Sequence, residues 1–211
     1  TGLIFSARDD RGDTVLCLVP RDIAGVEVRS YRLVDGSLAG EVTFTDVEVA
    51  AESVLREGSA DAVDQVLTFA AAVAAADSLG CIEVLLRRTA EYLNDRKQFG
   101  QPIGRFQALK HRLVDCYTAF EQAVALVDAA GDESAPGWAA RVAAAKAFVD
   151  RQGLRIGHEA MQMHGAMGLA DELAVSHHHK RIVGNAGLYG GADAQLERLW
   201  REIDVANPQT H

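Results

Sequence analysis

The stretch of the sequence with the clearest chemical potential runs from Arg96 to Gln107 and reads Arg-Lys-Gln-Phe-Gly-Gln-Pro-Ile-Gly-Arg-Phe-Gln. Arginine suits a pyrophosphate, because its planar guanidinium donates two parallel hydrogen bonds to phosphate oxygens. Phe99 and Phe106 could pack against a flat heterocycle. Gln98 and Gln107 could bind the polar edge of a ring or a ribose. An ordinary corner between two helices has the same composition, so residue types alone leave both interpretations open.

Helices are expected on both sides of this stretch, since Gly100 and Pro102 favour the end of one helix and the start of the next. Apolar residues recur at helical spacing from residue 58 onward, and Ser59 is the predicted N-cap of the first helix. The spacing predicts helices over 59–94, 106–130 and 138–163, and a broken helical region over 174–205. Long helices with short connections predict an up-down four-helix bundle.

Before residue 58 the sequence is typical of short strands. The β-branched segments 3–6, 14–19, 26–33 and 41–49 are separated by turn residues, and residues 9–13 predict a hairpin turn. Residues 42–49 alternate between apolar and polar types, as in a half-buried strand. The whole chain is therefore predicted to be mainly α, with a partial antiparallel β-domain over 1–57 followed by the helical bundle over 58–211.

Composition excludes several classes of function. The net charge is −9 and the sequence has no Lys/Arg cluster, which argues against binding nucleic acid through phosphate neutralisation. Cys17, Cys81 and Cys116 form no CxxC pair, so the sequence predicts neither a zinc site nor a disulfide framework, but buried thiols in a reducing, cytoplasmic compartment. No uninterrupted apolar run reaches the about 18 residues of a membrane span, so no membrane association is expected. Because the chain opens at Thr1 in strand-like sequence, we expect that residues preceding it are missing.

Two motifs resemble the acyl-CoA dehydrogenase family. The run Tyr92–Val114 resembles its signature, a Tyr followed by Arg-x-Gln-Phe-Gly-x-Pro-Ile-x-x-Phe-Gln. Ala160–Leu169 resembles its Gln-x-x-Gly-Gly-x-Gly turn, with Ala166 where the second Gly is usual. Glu41–Leu55 is similar to the strand that leads into the family's helical domain, and His177–Leu199 lies in the register of its last catalytic loop and helix. The resemblance implies the C-terminal part of the family's middle β-domain, followed by its four-helix bundle domain.

The resemblance also implies a flavin site built between subunits. The two motifs would reach across a dimer interface to the pyrophosphate and adenosine portion of FAD. The residues that this nominates for cofactor binding are Arg96, Gln98, Phe99, Phe106, Gln107, Gln162 and Gly165. Glycine at position 165 would let backbone N–H groups approach the cofactor closely. The implied partners are an acyl-CoA thioester, a homologous subunit in a homo- or hetero-oligomer, and an electron-transfer flavoprotein or similar acceptor.

The sequence departs from the family at its catalytic base. Family members abstract the α-proton of the acyl-CoA with a Glu in the loop between the last two helices, where this chain has Gly190 or Gly191. Some members carry the base on the first bundle helix instead, where this chain has Ala70 or Ala71. Asp193 is a candidate for a displaced base, although its place before a helix favours an N-cap. The catalytic residue is therefore left unassigned.

The histidines invite other interpretations. His177, His178 and His179 could suggest a metal site, but no ligand spacing is repeated elsewhere, so a polar helix face is the better interpretation and no metal is expected. His164, in the glycine turn, is expected to pack or to form hydrogen bonds rather than to act as an acid or base.

Three functions follow from the resemblance. The first is a base-lacking subunit of a heteromeric acyl-CoA dehydrogenase, as in bacterial complexes that oxidise bulky thioesters including steroid side chains. The second is a flavin-dependent monooxygenase on the same fold. The third is a non-catalytic structural subunit that has lost flavin, which the retention of Arg96, Gln98, Phe99, Gln107 and Gln162 argues against. The family's N-terminal helical domain and the first half of its β-domain are not in this sequence, so we expect the chain not to form a complete active site by itself.

Overall fold

A computed structural model describes residues 2–169 and 174–206 of the chain. The chain divides into two compact units, Thr1–Leu67 and Thr68–His211. In chain order, the elements are the strands β1 to β5, the helix α1, the short strands β6 and β7, and the helices α2 to α5. Their bounds are β1 Gly2–Arg8, β2 Thr14–Pro20, β3 Val26–Arg32, β4 Leu38–Phe44, β5 Val54–Leu55, α1 Ser59–Asp95, β6 Lys97–Gln98, β7 Gln101–Pro102, α2 Gln107–Ala129, α3 Trp138–His164, α4 Ala174–Ala186 and α5 Ala192–Ala206.

The first unit contains antiparallel strands in two small sheets. One has the order β1-β2-β5, and the other is the hairpin β3-β4. The predicted hairpin turn between β1 and β2 is present, since the Gly12 N–H donates to the Asp9 carbonyl at 2.9 Å and Gly12 has φ 83°. The aromatic rings of Phe5 and Phe44 lie 4.4 Å apart and so join the two sheets.

One strand prediction was wrong in its extent. The alternating residues 42–49 were expected to form a single strand, but β4 ends at Phe44. Asp46 has φ 49°, a left-handed conformation that no regular strand accommodates. Alternation of residue types indicates which side chains face a core, not where strand pairing ends. Here the alternation continues across a bend, beyond the last hydrogen bonds between β3 and β4.

The second unit is the predicted helical bundle, and the mainly α fold is confirmed. Contacts between helices give their directions. Arg112 pairs with Glu159 and Arg155 reaches the Asp115 carbonyl, so α2 and α3 are antiparallel. Tyr92 at the end of α1 lies against His164 at the end of α3, so these two helices are parallel. The broken fourth region is two helices, α4 and α5, and both pack on α3.

The core of the bundle draws on four of these helices. Its fully buried side chains share an aliphatic or small character, and they are Ala75, Ile82, Leu85, Leu86, Cys116, Ala119, Ala123, Val149, Ile156, Ala160, Val175 and Ile182. Gly153 on α3 allows the close packing, because a Cβ there would lie 3.0 Å from Ile182 and 3.2 Å from Ile82. The absence of a side chain at this position of α3 thus lets α1 and α4 pack closely against it.

The start of α1 differs from its predicted form. Ser59 was expected to cap the helix, but it is the first residue of α1, and its hydroxyl donates to the Leu55 carbonyl at 2.7 Å. The carbonyl of Gly58 accepts the first helical hydrogen bond, from the Ala62 N–H at 2.9 Å. Gly58 therefore occupies the cap position, and its φ of 69° is one that glycine adopts without steric cost.

Helix α1 has one further property. It is long and apolar enough to cross a membrane by length and composition alone, with a mean hydropathy of 1.8 over an 18-residue window, and it is the single such helix within the described part of the chain. Asp77 and Glu83 interrupt its apolar residues, which is why no continuous apolar run is visible in the sequence. A core helix passes the same test, and 44% of the window is buried. The absence of membrane association stays a prediction.

Candidate functional site

The corner between α1 and α2 is a two-residue hairpin. Strands β6 and β7 pair with Gln98 opposite Gln101, and Phe99 and Gly100 form the turn with φ 51° and 78°. Positive φ at both central residues is the requirement of a type I′ turn, which glycine meets easily and phenylalanine does not. Phe99 is 90% exposed, so no burial of its ring offsets the strain. A strained aromatic residue projecting into solvent is typical of a binding site.

The corner leaves the side chain of Arg96 available. Its backbone is fixed, since the Arg96 N–H donates to the Tyr92 carbonyl and the Arg96 carbonyl accepts from the Ile103 N–H at 2.8 Å. Within residues 2–169 and 174–206, its exposed guanidinium has no hydrogen-bonding partner. The ring of Phe106 meets that of Phe99 edge to face, with centroids 6.0 Å apart. A fixed backbone with a free cationic side chain is the arrangement that an anionic ligand requires.

The glycine turn after α3 depends on two glycines for different reasons. Gly165 has φ 62° and ψ −144°, dihedrals that disfavour any other residue, although a Cβ there would meet no atom within 4 Å. At Gly168 a Cβ would lie 2.7 Å from the Met161 carbonyl, so packing excludes a side chain. Ala166, at the position where the family's second glycine is usual, is exposed.

The two motifs meet at Tyr92 and His164. Their rings are stacked with centroids 4.4 Å apart and an angle of 24° between planes. The Tyr92 hydroxyl also lies 3.4 Å from the His164 carbonyl, a long hydrogen bond. Tyr92 lies one helical turn before Arg96, and His164 directly precedes Gly165. The structure thus brings both nominated segments to one end of the bundle.

The residues nominated for cofactor binding all lie on these two segments. Five of them form the corner, and the other two lie at the end of α3 and in the turn that follows it. Gln98 donates to the Lys97 carbonyl at 2.8 Å, while the exposed amides of Gln107 and Gln162 have no partner in the described part of the chain. Their role in binding FAD stays a prediction. The sequence did not predict the contact between Tyr92 and His164, because no local pattern indicates that two residues 72 positions apart will meet.

The loop between α4 and α5 is closed by its own hydrogen bonds. Gln195 is 3% exposed, and its Nε2 donates to the Tyr189 carbonyl at 2.7 Å. Tyr189 and Gly190 have φ 58° and 88°. The Gly191 carbonyl accepts the first hydrogen bond of α5, from the Gln195 N–H at 3.0 Å. Neither Gly190 nor Gly191 has a carboxylate to offer.

Asp193 lies in the first turn of α5 and is not its cap, so the predicted N-cap role was wrong. Gly191 holds the cap position. The exposed Asp193 carboxylate pairs with Arg151 on α3 at 2.7 Å. An acidic residue in the first turn also interacts favourably with the helix dipole. These two structural roles account for Asp193, and its service as a displaced base stays an untested alternative.

Packing affects the second position at which the family carries a base, on the first bundle helix, where this chain has Ala70 or Ala71. Ala71 is fully buried in a cluster with Ala130, Val142 and Ala145. A glutamate at position 71 would have to displace the facing α2 and α3 residues. Ala70 is half-buried and is the better match to a base that faces a ligand, but it has no proton acceptor.

The three consecutive histidines of α4 point in different directions. His179 packs against Gly157, where a Cβ would lie 2.1 Å from the imidazole Nδ1, and its ring centroid lies 5.0 Å from that of His158. Burial and the neighbouring His158 lower the pKa of His179, and burial together with His177 lowers the pKa of His178. The described residues contain no group of three or more His, Cys, Asp or Glu that could hold a metal ion.

A buried ion pair lies beneath the α4–α5 loop. Lys146 and Asp150 on α3 are 0% and 2% exposed, and their charged atoms lie 2.5 Å apart. Lys146 also donates to the Asn185 carbonyl in the last turn of α4 at 3.1 Å, and the Asn185 amide donates to Asp77 and Ser78 on α1. Burial raises the pKa of Asp150 to about 6, against the lowering by Lys146. This network fixes the end of α4 and was not visible from sequence.

Comparison with known proteins places the chain in a family. The family pattern described as "Acyl-CoA dehydrogenase, C-terminal domain" matches residues 57–204. The chain is 37% identical over 134 residues to the acyl-CoA dehydrogenase IpdE2 of Mycolicibacterium smegmatis, covering 64% of this chain and 42% of that protein. It is 28% identical to the acyl-CoA dehydrogenase FadE27 of Mycobacterium tuberculosis, covering 95% of this chain and 56% of that protein.

The fold is also that of solved relatives. The crystal structure of the ChsE4–ChsE5 complex from Mycobacterium tuberculosis matches with a TM-score of 0.86 at 27% identity, covering 98% of this chain and 56% of the matched chain. The chain therefore spans about half the length of the relatives it matches. On the match over residues 57–204, the chain belongs to the acyl-CoA dehydrogenase family and contains its C-terminal domain.

Proposed function

We propose that this chain holds FAD in an acyl-CoA dehydrogenase that forms the α,β double bond of an acyl-CoA thioester, as the subunit of a heteromeric complex that lacks the catalytic base. A single observation carries the proposal. One end of the bundle presents Arg96, Gln107 and Gln162, which have no partners among the described residues, beside a glycine turn, while the positions for a base carry Gly and Ala.

The donor set of the exposed end fits FAD. The Arg96 guanidinium is suited to donate to the pyrophosphate, and a Cβ at Gly165 would meet no atom within 4 Å, so the backbone of the glycine turn is open to a ligand. Phe99 offers an exposed apolar face, and the amides of Gln107 and Gln162 offer both donors and acceptors. When bound, FAD would supply the acceptor for the hydride that leaves the β-carbon. The contribution of this chain is to bind and orient.

The missing base supports a partner subunit. Forming the double bond removes a proton from the α-carbon and a hydride from the β-carbon, so a proton acceptor is required beside the cofactor. Gly190, Gly191 and Ala70 cannot accept a proton, and Asp193 pairs with Arg151. The structural relative from Mycobacterium tuberculosis is a complex of ChsE4 with ChsE5. We propose that a homologous subunit supplies the carboxylate and that electrons leave to an electron-transfer flavoprotein or similar acceptor, in the cytoplasm.

The test is to purify the complete protein alone and together with its homologous genomic neighbour. Each preparation is measured for bound FAD and assayed with a panel of acyl-CoA thioesters, including steroid side chains, with an artificial electron acceptor. We expect FAD in the complex and turnover that requires the neighbour. A complex without FAD would contradict the proposal. Oxygen consumption with a hydroxylated product would support a flavin-dependent monooxygenase instead.

A further inference from the structure

We infer that the stacked pair of Tyr92 and His164 positions the two cofactor-contacting segments relative to each other, so that FAD affinity depends on an aromatic contact that does not touch the cofactor. The inference rests on the proposed function and adds to it two positioning residues that neither the motifs nor the polar chemistry of the corner nominates. Its basis is the contact between α1 and α3 at their C-terminal ends.

His164 is held in one orientation. It is 5% exposed, and its Nδ1 lies 2.8 Å from the Ala160 carbonyl. A carbonyl oxygen only accepts, so Nδ1 carries the proton and donates it. This bond fixes the ring plane relative to the last turn of α3. The next residue, Gly165, begins the glycine turn, and its N–H donates to the Gln162 carbonyl.

The ring of His164 then fixes Tyr92. The two rings stack at 4.4 Å with only 24° between their planes, whereas the hydroxyl-to-carbonyl distance of 3.4 Å is near the limit of a hydrogen bond. Ring contact is therefore the larger of the two interactions. An aromatic pair contributes beyond the area it buries, and its geometry restricts both partners.

Tyr92 passes this restraint to Arg96. The Arg96 N–H donates to the Tyr92 carbonyl at 2.9 Å, and the Arg96 carbonyl accepts from the Ile103 N–H, which closes the base of the hairpin. Gly104 fits the hairpin against α1, since a Cβ there would lie 3.0 Å from the Leu93 carbonyl. The hairpin thus has no independent freedom to move at its base, and its orientation follows that of the last turn of α1.

The chain of contacts from the glycine turn to the arginine runs through one ring pair. FAD that touches both segments requires them at a fixed separation, and each hydrogen bond loses strength steeply with misplacement. Losing the stack would therefore weaken FAD binding while every residue that contacts FAD is retained. A role in general packing alone would lower stability without this selective effect.

The experiment compares His164→Leu with His164→Phe in the FAD-loaded complex. Both variants lose the Nδ1 hydrogen bond, and only His164→Phe keeps a ring to stack on Tyr92. We expect His164→Leu to weaken FAD binding about threefold to tenfold, the scale of one aromatic pair, and His164→Phe to restore most of it. The reciprocal variants Tyr92→Leu and Tyr92→Phe should behave in the same way.

Two further measurements separate positioning from packing. In Phe120→Leu, the loss of the Tyr117–Phe120 pair on α2 serves as the control, since it removes a second aromatic pair, with centroids 6.0 Å apart, and Phe120 lies about 20 Å along the helix from Gln107. It should lower the melting temperature without changing FAD binding. The double variant of Tyr92→Leu with His164→Leu should weaken binding no more than either single variant.

The outcomes distinguish this inference from the proposed function. If the wild-type complex holds no FAD, the proposed function fails. If it holds FAD and Arg96→Ala releases it, yet His164→Leu and His164→Phe bind FAD equally, then only the positioning role is overturned. The positioning role would also be overturned if the losses of FAD affinity in the two single variants add up in the double variant. Additivity would mean that the two residues act independently and not through a shared contact.

Discussion

Two regions of the bundle differ in how they use their polar groups. At the hairpin corner and the glycine turn, backbone hydrogen bonds fix the chain, while the side chains of Arg96, Gln107 and Gln162 are exposed and have no partner in the part of the chain that the structure describes. At the α4–α5 loop the reverse holds. Gln195 is buried and closes the loop onto Tyr189, beside Gly190 and Gly191, where the resemblance to the family would place a base.

The difference bears on the division of tasks that we propose between this chain and a partner subunit. Exposed polar side chains on a fixed backbone are disposed to bind a ligand, whereas the buried Gln195 donates its amide N–H to the backbone of its own loop. Binding and proton abstraction are separable tasks, since they use different residues at different places. A subunit that lost the second would still be required for the first if FAD spans two subunits.

The largest expected effect concerns catalysis. General-base assistance contributes about 10²–10⁴-fold to a rate. We therefore expect the FAD-loaded protein, purified without its partner, to oxidise acyl-CoA thioesters slower than the complex by about that factor. Steady-state kinetics with a panel of thioesters measures this directly.

The matched variant is Asp193→Ala. It removes the carboxylate nearest to the loop, together with the ion pair to Arg151, which is exposed and contributes little to stability. Activity of the complex should be unchanged. Full activity of the lone protein, abolished by Asp193→Ala, would instead identify Asp193 as the base.

A second prediction concerns the ion pair that supports the loop. Lys146→Met removes the cation from a site that is 0% exposed and leaves the Asp150 carboxylate buried without its counter-charge. Breaking a buried pair in this way costs about 3–5 kcal/mol of the free energy of unfolding. Urea unfolding followed by far-ultraviolet circular dichroism at pH 7 measures the loss. The loss should shrink at pH 5, where a protonated Asp150 needs no partner; an equal loss at both values would contradict this account.

The same carboxyl gives stability a pH dependence. Burial raises the pKa of Asp150 from 3.8 to about 6, so the folded protein binds this proton more tightly than the unfolded chain. The resulting stabilisation is complete below pH 4 and is lost as the pH rises through 6. The free energy of unfolding should fall by about 3 kcal/mol across that window. Asp150→Asn has no proton to release, so its stability should change less; parallel curves for both proteins would show that other groups set the dependence.

The sequence predicted the helices well and the site only in part. Periodicity and the flanking turn residues placed the ends of α2 and α3 within a residue. Periodicity could not predict the left-handed backbone conformation of Phe99, since positive φ contradicts the local preference of an aromatic residue. The cap of α5 was assigned to Asp193 by residue type, whereas the loop geometry puts Gly191 there. Contacts between distant residues, such as Lys146 with Asn185, depend on packing that no local pattern encodes.

The fourth prediction tests the exposed end of the bundle. Arg96→Ala should weaken FAD binding by about 1.5–3 kcal/mol, the scale of a hydrogen bond to a charged group. The flavin remaining after dialysis of the complex, read from its absorbance, measures this. Arg105→Ala is the control, since Arg105 is also exposed at the corner and was not nominated for binding. Equal retention by both variants would remove Arg96 from the site.

The smallest effect distinguishes Gly190 from Gly191, the two neighbouring glycines of the α4–α5 loop. Gly190 has φ 88°, and a Cβ there would lie 3.2 Å from the Gln195 amide nitrogen. Gly191 lies outside the left-handed region, and its Cβ would meet only the Ala186 carbonyl, at 3.2 Å. Left-handed backbone costs a residue with a side chain about 1–2 kcal/mol, so Gly190→Ala should lower the free energy of unfolding by about that amount and Gly191→Ala by less. Urea unfolding of the two variants side by side measures the difference. If Gly190→Ala is the costlier change, the loop is built around a glycine and a carboxylate could be introduced only at position 191 without rebuilding the contact with Gln195. If both changes are neutral, the loop tolerates side chains at either position, and the absence of a base there would owe nothing to the backbone.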